Sequence, residues 1–311
     1  MPLAAVGDAL TWLGRQGARA VAASIFVGIA IPPLASFARP AFTVALLVML
    51  WLAFLRVEPH AIRVRFTRPA LLVAGVAWIL IAVPLLFGAA VMALKPWLGE
   101  EVTFGLVLNI IAPPVFSTPV FVALMGLEPA LALAAVIACA AVTPLTASAF
   151  AALFIGAALP LTPLALGVRL AAMLGGTALA ATLVRRIAGR DWIAAQRERI
   201  DGLQVIALFV FGLAAMDGVT AHLVDRPLLG AGIVALGFAM TVALMLVTTL
   251  IFCRAGRPDA LALGIASAGR NMGLMIAAAG GAVPDLAWLY FALAQIPIYL
   301  LPLMFKPLAR A

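Results

Sequence analysis

Apolar runs of about twenty residues recur down this chain, separated by short charged segments, and no other feature narrows its fold so far. A helix needs about 20 predominantly apolar residues to cross the roughly 30 Å hydrocarbon core of a bilayer. The charges mark off about ten such stretches, near residues 20–36, 40–55, 69–93, 102–125, 130–156, 163–184, 202–217, 227–253, 258–279 and 285–304. The second and seventh are the shortest. These runs lack strict alternation and exceed the 9–11 residues of a barrel strand, which excludes a membrane β-barrel. Composition agrees, with 66% hydrophobic and 10% charged residues. Soluble domains have about 45–50% and 25%, and disordered chains are less hydrophobic still. The expected fold class is an all-α polytopic membrane protein.

The net charge of +8 could suggest nucleic acid, but a bias of Arg and Lys toward cytoplasmic loops accounts for it without such a partner. With the N-terminus inside, fifteen cations fall on inner segments: Arg15, Arg19, Arg56, Arg63, Arg65, Arg68, Arg185, Arg186, Arg190, Arg197, Arg199, Arg254, Arg257, Lys306 and Arg310. Only Arg39, Lys95 and Arg226 fall outside. Both termini are therefore expected in the cytoplasm, and the chain in the inner membrane with the lipid bilayer as its surroundings. The basic 185–201 segment becomes an inner loop joining two halves. No cleaved signal peptide is expected, because Ile31-Pro32-Pro33 follows the first run without a small-x-small site. Cys139 and Cys253 lie far apart in apolar segments and read as free buried thiols, with no metal site. His60 and His222 fall in loops, and no Ser/His/Asp, His-Glu-x-x-His or paired-carboxylate constellation suggests an enzyme.

Two apolar segments carry helix breakers at their centres. One is Ala112-Pro113-Pro114-Val115-Phe116-Ser117-Thr118-Pro119, in the fourth span; the other is Ser267-Ala268-Gly269-Arg270-Asn271-Met272-Gly273, in the ninth. Proline removes a donor and clashes with the preceding turn, while Gly and Asn tolerate non-helical dihedrals. Unwound backbone at membrane depth survives only inside protein or along a watery cavity. The midpoints, near residues 116 and 271, lie 155 residues apart in a chain whose half-length is 155.5. Two five-span halves of opposite topology are expected, 1–158 and 159–311. Paired interruptions in inverted halves are the best sequence pointer to a transporter's binding site.

None of the twelve acidic residues falls at the middle of a span; Glu128 and Asp217 come nearest. A buried-aspartate cation antiporter is thereby disfavoured. Two arginines do fall inside spans, Arg169 and Arg270, and each needs a reason, since a mid-helix Arg costs about 2.5–3.5 kcal/mol on insertion scales. Arg169 lies near the outer end of its span, where it is expected to snorkel or pair with Asp217. Arg270 has no opposite charge near it in sequence. Carbonyls at a half-helix C-terminus or an anionic ligand would balance it, and its planar fork suits carboxylate, sulfonate or phosphate. Asn109, Ser117, Thr118, Ser267, Asn271 and Gln295 join Arg270 as candidate substrate contacts. Pro113, Pro114, Pro119, Gly269 and Gly273 form the broken backbone around them.

At these residues the chain resembles the bile acid/sodium symporter family, as a divergent bacterial-type member. The Pro-interrupted fourth span, Ala140-Ala141-Val142-Thr143-Pro144 in the fifth, the basic inner loop and Gly269-Arg270-Asn271-Met272-Gly273-Leu274 carry the likeness. The resemblance implies ten helices in two inverted five-helix repeats, with helices 4 and 9 broken and crossing. It also implies a panel domain of helices 1, 2, 6 and 7, and a core domain of helices 3–5 and 8–10. Family members bind two sodium ions through side chains that this sequence has replaced. Aligned on Pro113, Pro144 and Asn271, the helix-4 Ser-Asn pair becomes Thr118-Pro119, and the helix-5 hydroxyls become Ala132 and Val136. The helix-9 Glu-Gln positions become Ala266 and Arg270, and the helix-3 Gln falls on Ile79. Sodium wants several oxygen ligands, so no cofactor or metal is expected and sodium itself is doubtful.

The expected function is alternating-access transport of a small organic anion, held where helices 4 and 9 cross. Half-helix N-termini and Arg270 would attract it, with Phe116, Phe121, Met272 and Met275 shaping an apolar wall. Conventional sodium symport, an arsenite- or auxin-type efflux carrier, and an ion channel remain alternatives. The oligomeric state is left open.

Overall fold

The computed structural model describes residues 2–14, 17–57, 68–280 and 283–310. Arg15, His60, Arg63 and Arg65 lie outside the described residues, as do the side chains of Arg19 and Arg310. Regular structure among the described residues is helical, and one isolated antiparallel bridge joins Pro114 to Arg270. Among the described residues, seven helices are long and apolar enough to cross a membrane: Pro32–Arg56, Pro69–Leu98, Ala130–Phe154, Pro163–Ala188, Arg197–Asp225, Pro227–Ile251 and Asp285–Ala309. Prolines open several of them, since the first turn has no use for the missing N–H. Side chains such as Phe37, Trp97, Leu164, Leu179 and Leu228 are more than 70% exposed. Leaving each in water would forgo about 1.5–3 kcal/mol of burial, whereas lipid accommodates them. The chain is a multi-pass membrane protein.

The first expected span is shorter than its sequence suggests. A helix over Gly17–Ala30 ends at Ile31, and the next begins at Pro32 and continues through a 3-10 turn at Arg39–Ala41 to Arg56. Fourteen residues rise only about 21 Å. The fourth and ninth spans are split as their breakers suggest, into Glu100–Ile111 with Thr118–Leu124, and Arg257–Ala268 with Met272–Ala278.

The chain divides into two compact units, Met1–Val57 with Ala172–Pro227, and Glu58–Ala171 with Leu228–Ala311. In the first, the Arg197–Ala215 helix packs against Pro2–Gly14, Gly17–Ala30 and Phe42–Arg56. Close approach depends on small residues: a Cβ at Gly202 would collide with the Leu10 carbonyl, and one at Gly28 with Met216. Several charges in this unit are paired or spent on helix ends. Arg56 bonds Asp201 at 2.6 Å, and Arg185 donates to the Phe54 and Leu55 carbonyls. Asp217 accepts from Ser36 Oγ at 2.6 Å and from Arg39 at 3.1 Å. Arg39, rather than Arg169, is therefore its partner. His222 sits in a short helix, Val219–Asp225, and not in a loop.

The second unit holds both broken segments. Val102–Ile111, Ala260–Ala268 and Met272–Ala278 are buried on every face, which identifies these half-helices as interior elements rather than lipid-facing ones. The Asp285–Ala309 helix is also largely enclosed, whereas Pro163–Ala188 is mostly exposed. Cys139 is buried as expected; Cys253 is exposed, in a 3-10 turn, and corrects the expectation of a second buried thiol.

Candidate functional site at the paired helix breaks

The two breaks share an anatomy. Gly99, with φ 77°, precedes a twelve-residue helix, an interruption and a seven-residue helix, and Gly126, with φ 83°, follows. Gly256, with φ 102°, precedes a second set of twelve and seven residues, and Gly280, with φ 79°, follows. Each of these glycines takes a left-handed conformation that a side chain would disfavour.

The interruptions lie against each other as a two-bond antiparallel bridge. Val115 N–H donates to Gly269 O at 2.8 Å, and Asn271 N–H donates to Pro113 O at 2.8 Å. Polar backbone that would otherwise stand bare at membrane depth is thus satisfied within the protein. Gly269 permits the approach, since a Cβ there would lie 3.1 Å from Val115 Cγ2. Pro113 and Pro114 are buried and Pro119 half-buried. Pro119 and Gly273 fall within the first turns of the short half-helices.

Arg270 is 1% exposed and is the largest fully buried side chain among the described residues. Its Nε donates to Ser267 O at 2.7 Å, and its Nη1 donates to Ile79 O at 3.1 Å and to Ala112 O at 3.0 Å. Ser267 lies in the last turn of one half-helix and Ala112 caps the other. A helix C-terminus carries about half a negative charge, so the two together come close to balancing one guanidinium. That is the carbonyl alternative for neutralising Arg270, realised at both broken helices at once. Arg270 Nη2 and Ser267 Oγ, both buried, have no hydrogen-bond partner among the described residues.

The third carbonyl comes from an element that side-chain reasoning missed. Residues Trp78–Ala82 form a π-helical turn in which Val83 N–H bonds Trp78 O. The next residue is Pro84, which has no N–H. Both groups that could serve Ile79 O in α or π register are therefore spent or missing, and Arg270 takes their place. Pro84 was the available signal. Trp78 Nε1 braces the same turn by donating to Thr248 Oγ1 at 2.9 Å. Around it, Ile79, Leu80, Cys139 and Ala266 pack as one buried cluster.

The remaining candidates differ in what their polar groups do. Asn271 Oδ1 caps its own half-helix by accepting from Leu274 N–H at 3.2 Å. Thr118 Oγ1 donates to Val115 O at 2.6 Å, and Gln295 Nε2 donates to Phe291 O at 3.2 Å, so both are turned onto local backbone. Asn109 is buried in the last turn of its half-helix, and Ser117 is half-buried before the next. Met272 and Met275 are core residues, and Phe121 stacks edge-on against Tyr299. Four of the positions read as lost sodium ligands, Ile79, Ala132, Val136 and Ala266, are apolar and 0–1% exposed. Arg169 donates to Ala278 O at 3.2 Å, at the C-terminus of Met272–Ala278. It serves a helix end rather than a carboxylate. No known protein family matches the chain, and no curated protein matches it.

Proposed function

We propose that this chain is a secondary transporter that moves a small organic anion by alternating access, with Arg270 as a built-in cation and no requirement for sodium. The observation that carries the reading is the Arg270 guanidinium, buried and held by carbonyls of Ile79, Ala112 and Ser267, with no carboxylate contact among the described residues. A fixed positive charge at the negative ends of two interrupted helices does electrostatically what a bound monovalent cation would do there. The apolar side chains at Ile79, Ala132, Val136 and Ala266 offer a sodium ion no oxygen.

The matched anatomy of the two breaks supports ten crossings in two inverted five-helix repeats of the bile acid/sodium symporter type. The grouping of the chain into two units supports a panel-and-core division, with the breaks wholly in the second. The unengaged Arg270 Nη2 and Ser267 Oγ are the groups left to meet an anion. The fifteen inner cations support cytoplasmic termini.

Reconstituted protein screened with radiolabelled carboxylates and sulfonates tests this. Saturable uptake and counterflow that persist when choline replaces sodium support the reading. Uptake that rises with a sodium gradient, and is lost in R270A, returns the protein to conventional symport. Unsaturable flux without counterflow makes it a channel.

A further inference from the structure

The carbonyls that hold Arg270 are freed by the surrounding chain, independently of the arginine. Ile79 O loses its helical donors to the π turn and to Pro84. Ser267 O loses its i+4 donor because Asn271 N–H is bonded to Pro113 O. Ala112 has turned extended, with ψ 150°, and its carbonyl leaves the helical ladder. All three still converge when the guanidinium is imagined away, since none of these causes involves the side chain.

Building on the reading of Arg270 as an internal cation, we propose that these three carbonyls form a standing site for a small planar organic cation. Its native occupant is the chain's own guanidinium, and shortening Arg270 opens it to free guanidinium ion. The N···O separations are 2.7–3.1 Å, hydrogen-bond lengths that suit an N–H donor. They exceed the roughly 2.3–2.6 Å that a bare hard cation such as calcium takes from oxygen. A planar fork also matches several acceptors at once, which a spherical ion does not require. Pro84 is the positioning residue in this scheme: having no N–H, it keeps Ile79 O available.

The test is thermal unfolding of detergent-solubilised R270A against guanidinium chloride at low millimolar concentration, with sodium chloride at matched ionic strength. A ligand that binds only the folded state raises Tm by mass action. The expected result is a saturable rise of about a few degrees in R270A, no rise in the wild type, and none with sodium. In P84A/R270A the residue at 84 regains an N–H for Ile79 O, so the half-saturating guanidinium concentration rises roughly three- to tenfold, as for one lost hydrogen bond. An R270A response equal to the wild type's, or one that sodium reproduces, overturns the proposal. Should R270A not survive extraction, the same salts are supplied from lysis onward. Recovery of a monodisperse peak with guanidinium alone supports the site, and recovery with neither overturns it. Sodium-coupled uptake by the wild type would sink the transport reading and leave this titration standing. A flat titration would sink the site and leave sodium-independent transport standing.

Discussion

The two broken segments have one architecture and opposite chemistry. Each is a twelve-residue and a seven-residue half-helix flanked by left-handed glycines. The first is interrupted by prolines, which contribute carbonyls and no donors. The second is interrupted by Gly269, Arg270 and Asn271, which contribute the guanidinium and the Asn271 N–H that bonds Pro113 O. The backbone bridge between Pro114 and Arg270 is reciprocal, one bond each way, and it is the guanidinium that gives the second break extra donors to set against the Ala112 carbonyl of the first. The comparison teaches that an interrupted membrane helix leaves a specific electrostatic demand, here for a cation. The identity of the group that meets it is a choice separate from the fold.

The largest effect should come from removing the donor side. R270A strands three buried carbonyls that now receive charge-assisted bonds, and should destabilise the protein by about 3–5 kcal/mol. R270K, which keeps a shorter cation, should lose less. Thermal unfolding in detergent reads both, and an R270A variant as stable as the wild type would break the donor–acceptor account. A smaller effect is expected where the breaks touch. G269A brings a Cβ to 3.1 Å from Val115 Cγ2, an overpacking that should cost about 1–2 kcal/mol. V115A should recover part of that loss in the double variant, and strictly additive losses would place the two breaks farther apart than described.

The Ile79 carbonyl sharpens the comparison further. P84A alone should change stability by less than about 1 kcal/mol, because a helix bond is gained as a bond to Arg270 weakens. In the R270A background the same change should be stabilising, and a coupling of about 1 kcal/mol in a double-mutant cycle is the expected signature. The smallest effect belongs to the other intramembrane arginine. Arg169 is exposed and makes one bond to a helix end, so R169A should stay within about 1 kcal/mol of the wild type. A loss comparable to that of R270A would erase the distinction between them.

Much of this was legible in residue types. Prolines at 113, 114 and 119 and the Gly-Arg-Asn run at 269–271 located both breaks, because breakers act locally. Arg270 stood out because an isolated cation in an apolar span is expensive wherever it lies. Its partners were less visible. A carbonyl acceptor has no residue identity, so Ile79 and Ala112 entered the reading only as an apolar replacement and a helix end. The clue to Ile79 lay five residues on, in a proline whose effect depends on the π register of the turn. Asp217 was matched to Arg169 by charge alone, and tertiary packing gave it Arg39 and Ser36 instead. The early stop at Ile31 lay in the Ile31-Pro32-Pro33 run, read only as evidence against a cleavage site.

The central claim is that the chain supplies its own cation where the helices are interrupted, and a sodium titration of the wild type tests it most directly. At constant ionic strength, exchanging choline for sodium should leave Tm unchanged across the millimolar range. A saturable, sodium-specific rise in Tm would contradict the claim, because it would place a bound metal ion where Arg270 is held to suffice.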